Sequence, residues 1–193
     1  ASKSMTRSLR KLRRSLRRAH KKGIRRLLPV TTVLSSVVLI MYFIGQFLMS
    51  AQRRPEVVAV MLGAYYKPFM VEAFEYWRLL TSGFIHIDFL HLLMNLIALR
   101  NLGQIMERVM GSKNYLKTLL FGIIFGSMFV FVRNEASIAL GLSGGLFALL
   151  GAMFVYFYET GAFKNPALLG QVFSIIIMNV LISLLPGVSA AEI

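Results

Sequence analysis

The sequence predicts an all-α protein, a bundle of helices that crosses a membrane several times. Three observations carry this. First, 56% of the 193 residues are hydrophobic and only 16% charged, and the mean hydropathy is +0.66. An ordinary soluble domain has about 45–50% apolar and about 25% charged residues. Second, the apolar residues fall into runs close to the roughly 20 residues that a helix needs to cross about 30 Å of hydrocarbon. Third, the charge is concentrated at one end. Disorder is excluded by the same composition, since disordered chains are poor in apolar residues. The absence of Cys excludes a disulfide scaffold.

Residues 1–28 hold twelve basic residues, from Lys3 to Arg26, and no Asp or Glu. The rest of the chain carries 10 basic and 8 acidic residues and is close to neutral, so the net charge of +14 and the pI of about 10.7 belong to this tail. A nucleic-acid arm and an organellar presequence are both conceivable for such a run. A membrane segment follows it at once, however, and favours a cytoplasmic juxtamembrane segment that fixes orientation and touches anionic lipid. Leu9, Leu12 and Leu16 stand at helical spacing, so part of the tail can lie as an amphipathic helix on the leaflet. Residues 29–193 then form one membrane domain.

Five spans are expected. Residues 30–49 carry no charge and make the first, with the N-terminus inside. Residues 50–85 mix Arg53, Arg54, Glu56, Lys67, Glu72, Glu75 and Arg78 with Tyr65, Tyr66, Phe69, Phe74, Tyr76 and Trp77. That stretch is too polar to span and reads as an outer interfacial loop with aromatic anchors. Residues 85–106 make the second span. The third is 115–132, with Gly122 and Gly126 as a GxxxG pair for close helix contact. The fourth, 143–158, is short and rich in small residues. The fifth is 167–185, after which Pro186-Gly187 turns the chain outside.

Polar groups at membrane depth are costly and need a reason. The second span opens on His86, His91 and Asn95. Positions 91 and 95 share a helix face, and both side chains can donate hydrogen bonds. The fourth span opens on Gly141-Leu142-Ser143-Gly144-Gly145. A helix N-terminus offers free N–H groups and a positive dipole end there, which suits a nucleophile whose reaction builds an oxyanion. Alternation of the spans puts Ser143 and His91 on the same side of the membrane. Each feature alone is more often structural. A zinc site from His86 and His91 lacks a third ligand, and their spacing of five is poor for one helix face. Gly141-x-Ser143-x-Gly145 formally matches a hydrolase nucleophile elbow, but that motif needs a preceding strand and a later Asp and His.

Taken as an ordered set, these residues resemble the rhomboid family of intramembrane serine proteases, of bacterial type. The matching pieces are Trp77-Arg78, then His86, His91 and Asn95 at their spacing, Glu107 near Gly111, and Gly141-Leu142-Ser143-Gly144, over roughly residues 75–190. The resemblance implies a rhomboid-like bundle of six spans, of which five are present here, around a wet cavity open to the outside. It implies Ser143 as nucleophile, with His91, Asn95 and the Ser143 N–H as the oxyanion hole. His86 would support the hydrogen-bond network, Trp77 and Arg78 would hold the first loop, and Glu107 would be structural at the inner end. The fourth span would pack against the sixth along Gly144, Ala148, Gly151 and Ala152. No cofactor or metal is implied. The implied partners are transmembrane protein substrates, cut at small, helix-destabilising residues, and the expected setting is a bacterial plasma membrane.

Two departures stand out. Phe147 occupies a position where many members carry Tyr, which keeps the ring and loses a hydroxyl. The family's base is a His in the sixth helix, expected about two residues past Ile193. None of His20, His86 and His91 matches it. A serine hydroxyl needs an adjacent base at neutral pH, so the chain as given is expected to be inactive, a piece of an active protease. A non-catalytic rhomboid-like module that binds membrane proteins is the alternative function. A channel or transporter is disfavoured, because the polar groups cluster at one end instead of at midplane.

Overall fold

The computed structural model describes residues 29–51, 54–133 and 138–161, together with residues 170, 173, 174, 176 and 177. The basic tail, most of the expected fifth span and the approach to a sixth lie outside the described residues. Helix is the regular structure throughout the described chain, apart from one isolated bridge.

The first expected span is α1, Pro29–Ser50. The outer segment expected as loop instead folds into three short helices and a turn: α2 (Pro55–Leu62), α3 (Lys67–Glu72), α4 (Arg78–Thr81) and a 3₁₀ turn, Ser82–Phe84. Local signals explain the difference. Pro55 and Pro68 stand in the first turns of α2 and α3, where a missing N–H does no harm. Gly63 ends α2 at φ +107°, a left-handed cap that suits glycine.

The second span is α5, Phe89–Met110. It starts four residues later and ends four later than expected. Asp88 sets the start, because its carboxylate accepts the His91 N–H at 2.8 Å as an N-cap. The third span is α6, Ser112–Val132, and the fourth is α7, Ser143–Thr160, the shortest of the four long helices. The helices α1, α5 and α6 are each long and apolar enough to cross a membrane.

The core lies between α5, α6 and α7, with α1 closing one side. It is built from Ala98, Leu99, Leu102 and Met106, from Tyr115, Leu119 and Ile123, and from Leu146, Leu149, Leu150, Met153 and Phe157. Within each helix these positions recur every three or four residues, so each presents one stripe inward. The opposite faces carry exposed Ile40, Phe43 and Phe47 on α1 and Phe121, Phe125 and Phe129 on α6, as expected of helices whose outer solvent is hydrocarbon. Ile176, from the expected fifth span, also packs on this core.

The tightest crossing joins α6 to α7, and the GxxxG pair makes it. A Cβ on Gly122 would lie 2.4 Å from Ala148 Cβ and 2.7 Å from the Gly144 carbonyl oxygen, and one on Gly126 would lie 3.3 Å from Gly144 Cα. Gly144 and Ala148 thus face the third span, while a Cβ on Gly151 would meet nothing within 4 Å; a sixth span lies outside the described residues.

The far end of α5 is tied by Glu107. Its carboxylate accepts the N–H groups of Val30 and Thr31 at 3.1 and 3.0 Å, the Thr31 hydroxyl at 2.7 Å and the Ser112 hydroxyl at 2.6 Å. One buried carboxylate thereby satisfies the first turn of α1 and joins it to the start of α6. Four charge-assisted bonds offset the desolvation of the charge.

Candidate active site

Ser143 is the first residue of α7, and the chain reaches it along a braced path. Ala139 and Tyr65 exchange backbone hydrogen bonds of 2.9 and 3.3 Å as an antiparallel bridge. Two residues on, the Gly141 N–H donates to the Ser82 carbonyl at 2.9 Å. Gly141 stands at φ +106°, a region that residues with a Cβ rarely adopt. Leu142, fully buried, then forms the N-cap. As an opening residue of the helix, Ser143 has an N–H with no acceptor in its own helix, at the positive end of the helix dipole.

Ser143 lines a cavity of about 170 Å³ together with Ser82, Gly126, Ser127, Val130 and Phe147. Phe147 is half-exposed one turn along α7. Two of these lining residues, Ser82 and Ser127, meet with their hydroxyl oxygens 3.1 Å apart.

His91 lies in the first turn of α5, where the Asp88 cap holds its backbone. Its ring reaches Gly141: a Cβ there would fall 2.6 Å from His91 Cε1 and 2.8 Å from Nε2. The imidazole therefore packs on bare backbone two residues before Ser143, and glycine is required twice over, by its φ and by this contact. The His86 ring meets the His91 ring edge-on, with centroids 4.9 Å apart. Asn95, one turn along, donates from Nδ2 to the His91 carbonyl at 2.9 Å. Its Oδ1 is buried and meets no hydrogen-bond partner among the described residues.

His86 lies before α5, in the extended segment that follows the 3₁₀ turn. Only 1% of it is exposed, and neither ring nitrogen has a well-formed hydrogen bond among the described residues. Burial, and then the neighbouring His91, lower its pKa from the ordinary 6.5 to about 3, against a weaker opposing pull from the Phe84 backbone. His86 is thus a neutral ring packed behind His91. The supporting hydrogen-bond network expected around it is not formed by the described residues. Nor does any third His, Cys, Asp or Glu among them join the two rings in a metal-ligand cluster.

Trp77 and Arg78 sit in the segment between α1 and α5. Arg78, 4% exposed, donates from Nη1 to the carbonyls of Val60 and Ala64 at 2.7 and 3.0 Å and from Nε to Glu75 at 2.6 Å. Its guanidinium also lies 4.5 Å from the Trp77 ring centroid and 5.2 Å from that of Phe69. It closes the end of α2, where helix carbonyls favour a cation. Glu107 lies sixteen residues along α5 from His91, about 24 Å at 1.5 Å per residue, and so at the far end of the bundle.

Of the sequence-predicted residues, the structure brings Gly141, Ser143, His91, Asn95, His86 and Phe147 to one end. Gly144 serves the helix crossing beside them. Sequence reading missed Ser82, Ser127, Asp88 and the bridge to Tyr65. Ser127 could have been noticed as a polar residue in an apolar span, and Asp88 as a capping residue three before His91. No local signal marks Ser82 or the bridge.

Comparison with known proteins agrees with this architecture. A family model described as the rhomboid domain matches residues 73–192. The chain is 30% identical over 115 residues to "Rhomboid-like protease 3" of Toxoplasma gondii, covering 60% of this chain and 43% of that protein. It is 42% identical over 79 residues to "Rhomboid protease GluP" of Bacillus subtilis, covering 41% of this chain and 15% of that one. "Inactive RHOMBOID-like protein 8" of Arabidopsis thaliana is 35% identical over 121 residues, covering 61% of this chain and 34% of its own length. The chain belongs to the rhomboid family and is a multi-pass membrane protein. It spans less than half the length of these relatives.

Proposed function

We propose that the complete protein is an intramembrane serine protease that cleaves membrane-anchored proteins near the face where α7 begins, with Ser143 as the nucleophile. Ser143 Oγ attacks the scissile carbonyl carbon, and its proton passes to a base. The tetrahedral oxyanion takes hydrogen bonds from the Ser143 N–H, Asn95 and His91. The acyl-enzyme forms as the amine leaves with a proton, and water then releases the acid. The observation that carries this reading is the packing of the His91 ring on Gly141. The ring lies against the backbone two residues before Ser143, which opens α7 and borders the cavity, and this supports a role for both in meeting the charge that develops at a carbonyl oxygen. The base is taken to be a histidine in sequence following Ile193. In this reading the N-terminus is cytoplasmic, Ser143 faces the outside of a bacterial plasma membrane, and the basic tail rests on anionic lipid.

The test is cleavage of a fluorescent membrane-anchored substrate by the purified full-length protein. Ser143→Ala abolishes cleavage if the assignment holds; unchanged cleavage refutes it. A second reading, a rhomboid-like module that binds membrane proteins without cutting them, is favoured by the similarity to a relative named as inactive. The codons after Ile193 separate the two. A histidine within a few residues supports the protease, and its absence supports the binding module.

A further inference from the structure

Arg100 plays no part in the site described above. It is the twelfth of the 22 residues of α5, about 16 Å from Phe89 and about 15 Å from Met110 at 1.5 Å per residue. The helix is long and apolar enough to cross a membrane. A second mark of depth comes from Glu107, whose carboxylate joins the first turns of α1 and α6. Those two helices therefore begin at one level. Arg100 lies seven residues, about 10 Å, along α5 from that level toward His91.

Membrane depth is costly for a guanidinium, which does not shed its proton. Basic side chains near helix ends reach back to the headgroups, but Arg100 stands about three turns from either end of α5. It is exposed, and its side chain has no ion pair or hydrogen bond among the described residues. The acids of its own helix and cap are committed. Glu107 accepts four hydrogen bonds and Asp88 caps α5. Residues 161–191 hold no Asp or Glu.

Arg100 also belongs to a stripe. Leu93, Ile97, Arg100 and Gln104 recur at intervals of four, three and four, so they share one face of α5. Leu93, Ile97 and Arg100 are exposed and Gln104 is half-buried. Such spacing forms the seam against which one further helix packs, and a polar group within a seam selects register and partner.

We propose that this face of α5 binds a membrane-spanning helix of another protein that carries an Asp or Glu at the depth of Arg100. The pair removes an uncompensated cation from the bilayer and gives a carboxylate, equally costly there, its partner. Leu93 and Ile97 supply packing contacts on the side toward His91. A helix without an acid would bury the guanidinium unpaired and is selected against. The pairing does not depend on whether Ser143 cuts the helix that binds.

The full chain, carrying a fluorescent donor at its N-terminus in phosphatidylcholine vesicles, tests this by energy transfer to acceptor-labelled peptides. The peptides are membrane-spanning runs of Leu and Ala with one central Glu, Gln or Lys. The Glu peptide is expected to bind at least about threefold more tightly than the Gln peptide, and the Lys peptide most weakly. Arg100→Leu, a change at an exposed position, abolishes the preference for Glu, and Arg100→Glu transfers it to the Lys peptide. Equal binding of all three peptides to the unmodified chain overturns the proposal. So does a preference for Glu that survives in Arg100→Leu. Vesicles containing phosphatidylglycerol test a lipid phosphate as the occupant: loss of the Glu preference there assigns Arg100 to lipid and overturns the proposal as well.

Discussion

Two residues of the candidate site make sharp demands at the scale of single side chains. Gly141 combines a left-handed φ with contact to the His91 imidazole. Gly141→Ala would place a methyl group where the ring stands and must displace the His91 ring. A misplacement of about 1 Å at a reacting centre lowers turnover by about 10²-fold. That loss is expected in the cleavage assay, with Ser143 itself intact. His86 makes a different demand. Its folded pKa of about 3 lies below the ordinary 6.5, so between those values the unfolded chain binds a proton that the folded protein refuses. Folded-state stability should then fall as pH drops from about 6.5 toward 3. Thermal unfolding in detergent should show this slope, and His86→Gln should flatten it. An unchanged slope would mean that His86 is not the group responsible.

Among the elements, the α6–α7 crossing fixes where the opening of α7 sits. The backbones meet through Gly122, Gly144 and Ala148, so substitutions should grade with the space each Cβ would find. Gly122→Val forces atoms onto Ala148 and the Gly144 carbonyl and should cost on the order of 1–3 kcal/mol. Gly126→Ala meets Gly144 Cα only at 3.3 Å and should cost less. Circular dichroism melting of the two variants checks the order. This contact was legible beforehand, because small residues four apart in an apolar helix have few other reasons. Its partner was not. Gly144 and Ala148 also read as a packing face, but nothing in their spacing says which helix they meet.

Across the whole molecule, the outer segment and the Ser143 approach form one braced unit. Arg78 holds the end of α2, the turn after Leu62 leads to Tyr65, and Tyr65 pairs with Ala139. Arg78→Ala leaves the Ala64 carbonyl without its cation and the Val60 carbonyl with the Gly63 N–H alone, at about 1–3 kcal/mol for a buried group left unpaired. The expected result is faster proteolytic nicking within residues 54–84 and weaker cleavage of substrate. Arg78→Lys should rescue only in part, since a lysine cannot reproduce the planar fork that serves two carbonyls and Glu75 together. Equal protease resistance in the alanine variant would show that the brace lies elsewhere.

The sequence by itself determined the all-α membrane class, the existence of the long helices and the shortlist of polar residues. Hydrophobic run length answers to bilayer thickness, and a polar group in an apolar span is conspicuous whatever the fold. It placed the boundaries of α5 poorly, because a single capping carboxylate, that of Asp88, overrides the hydropathy signal at a helix start. Tertiary structure alone decided that the 54–84 segment is braced against the approach to Ser143. It also decided that Ser82 and Ser127 share a cavity with Ser143, and that the His91 ring rests on Gly141. Ser82 and Ser127 stand 45 positions apart and His91 and Gly141 stand 50 apart, and no local pattern encodes such contacts. They exist because helices packed at close range bring distant backbone within reach of one another.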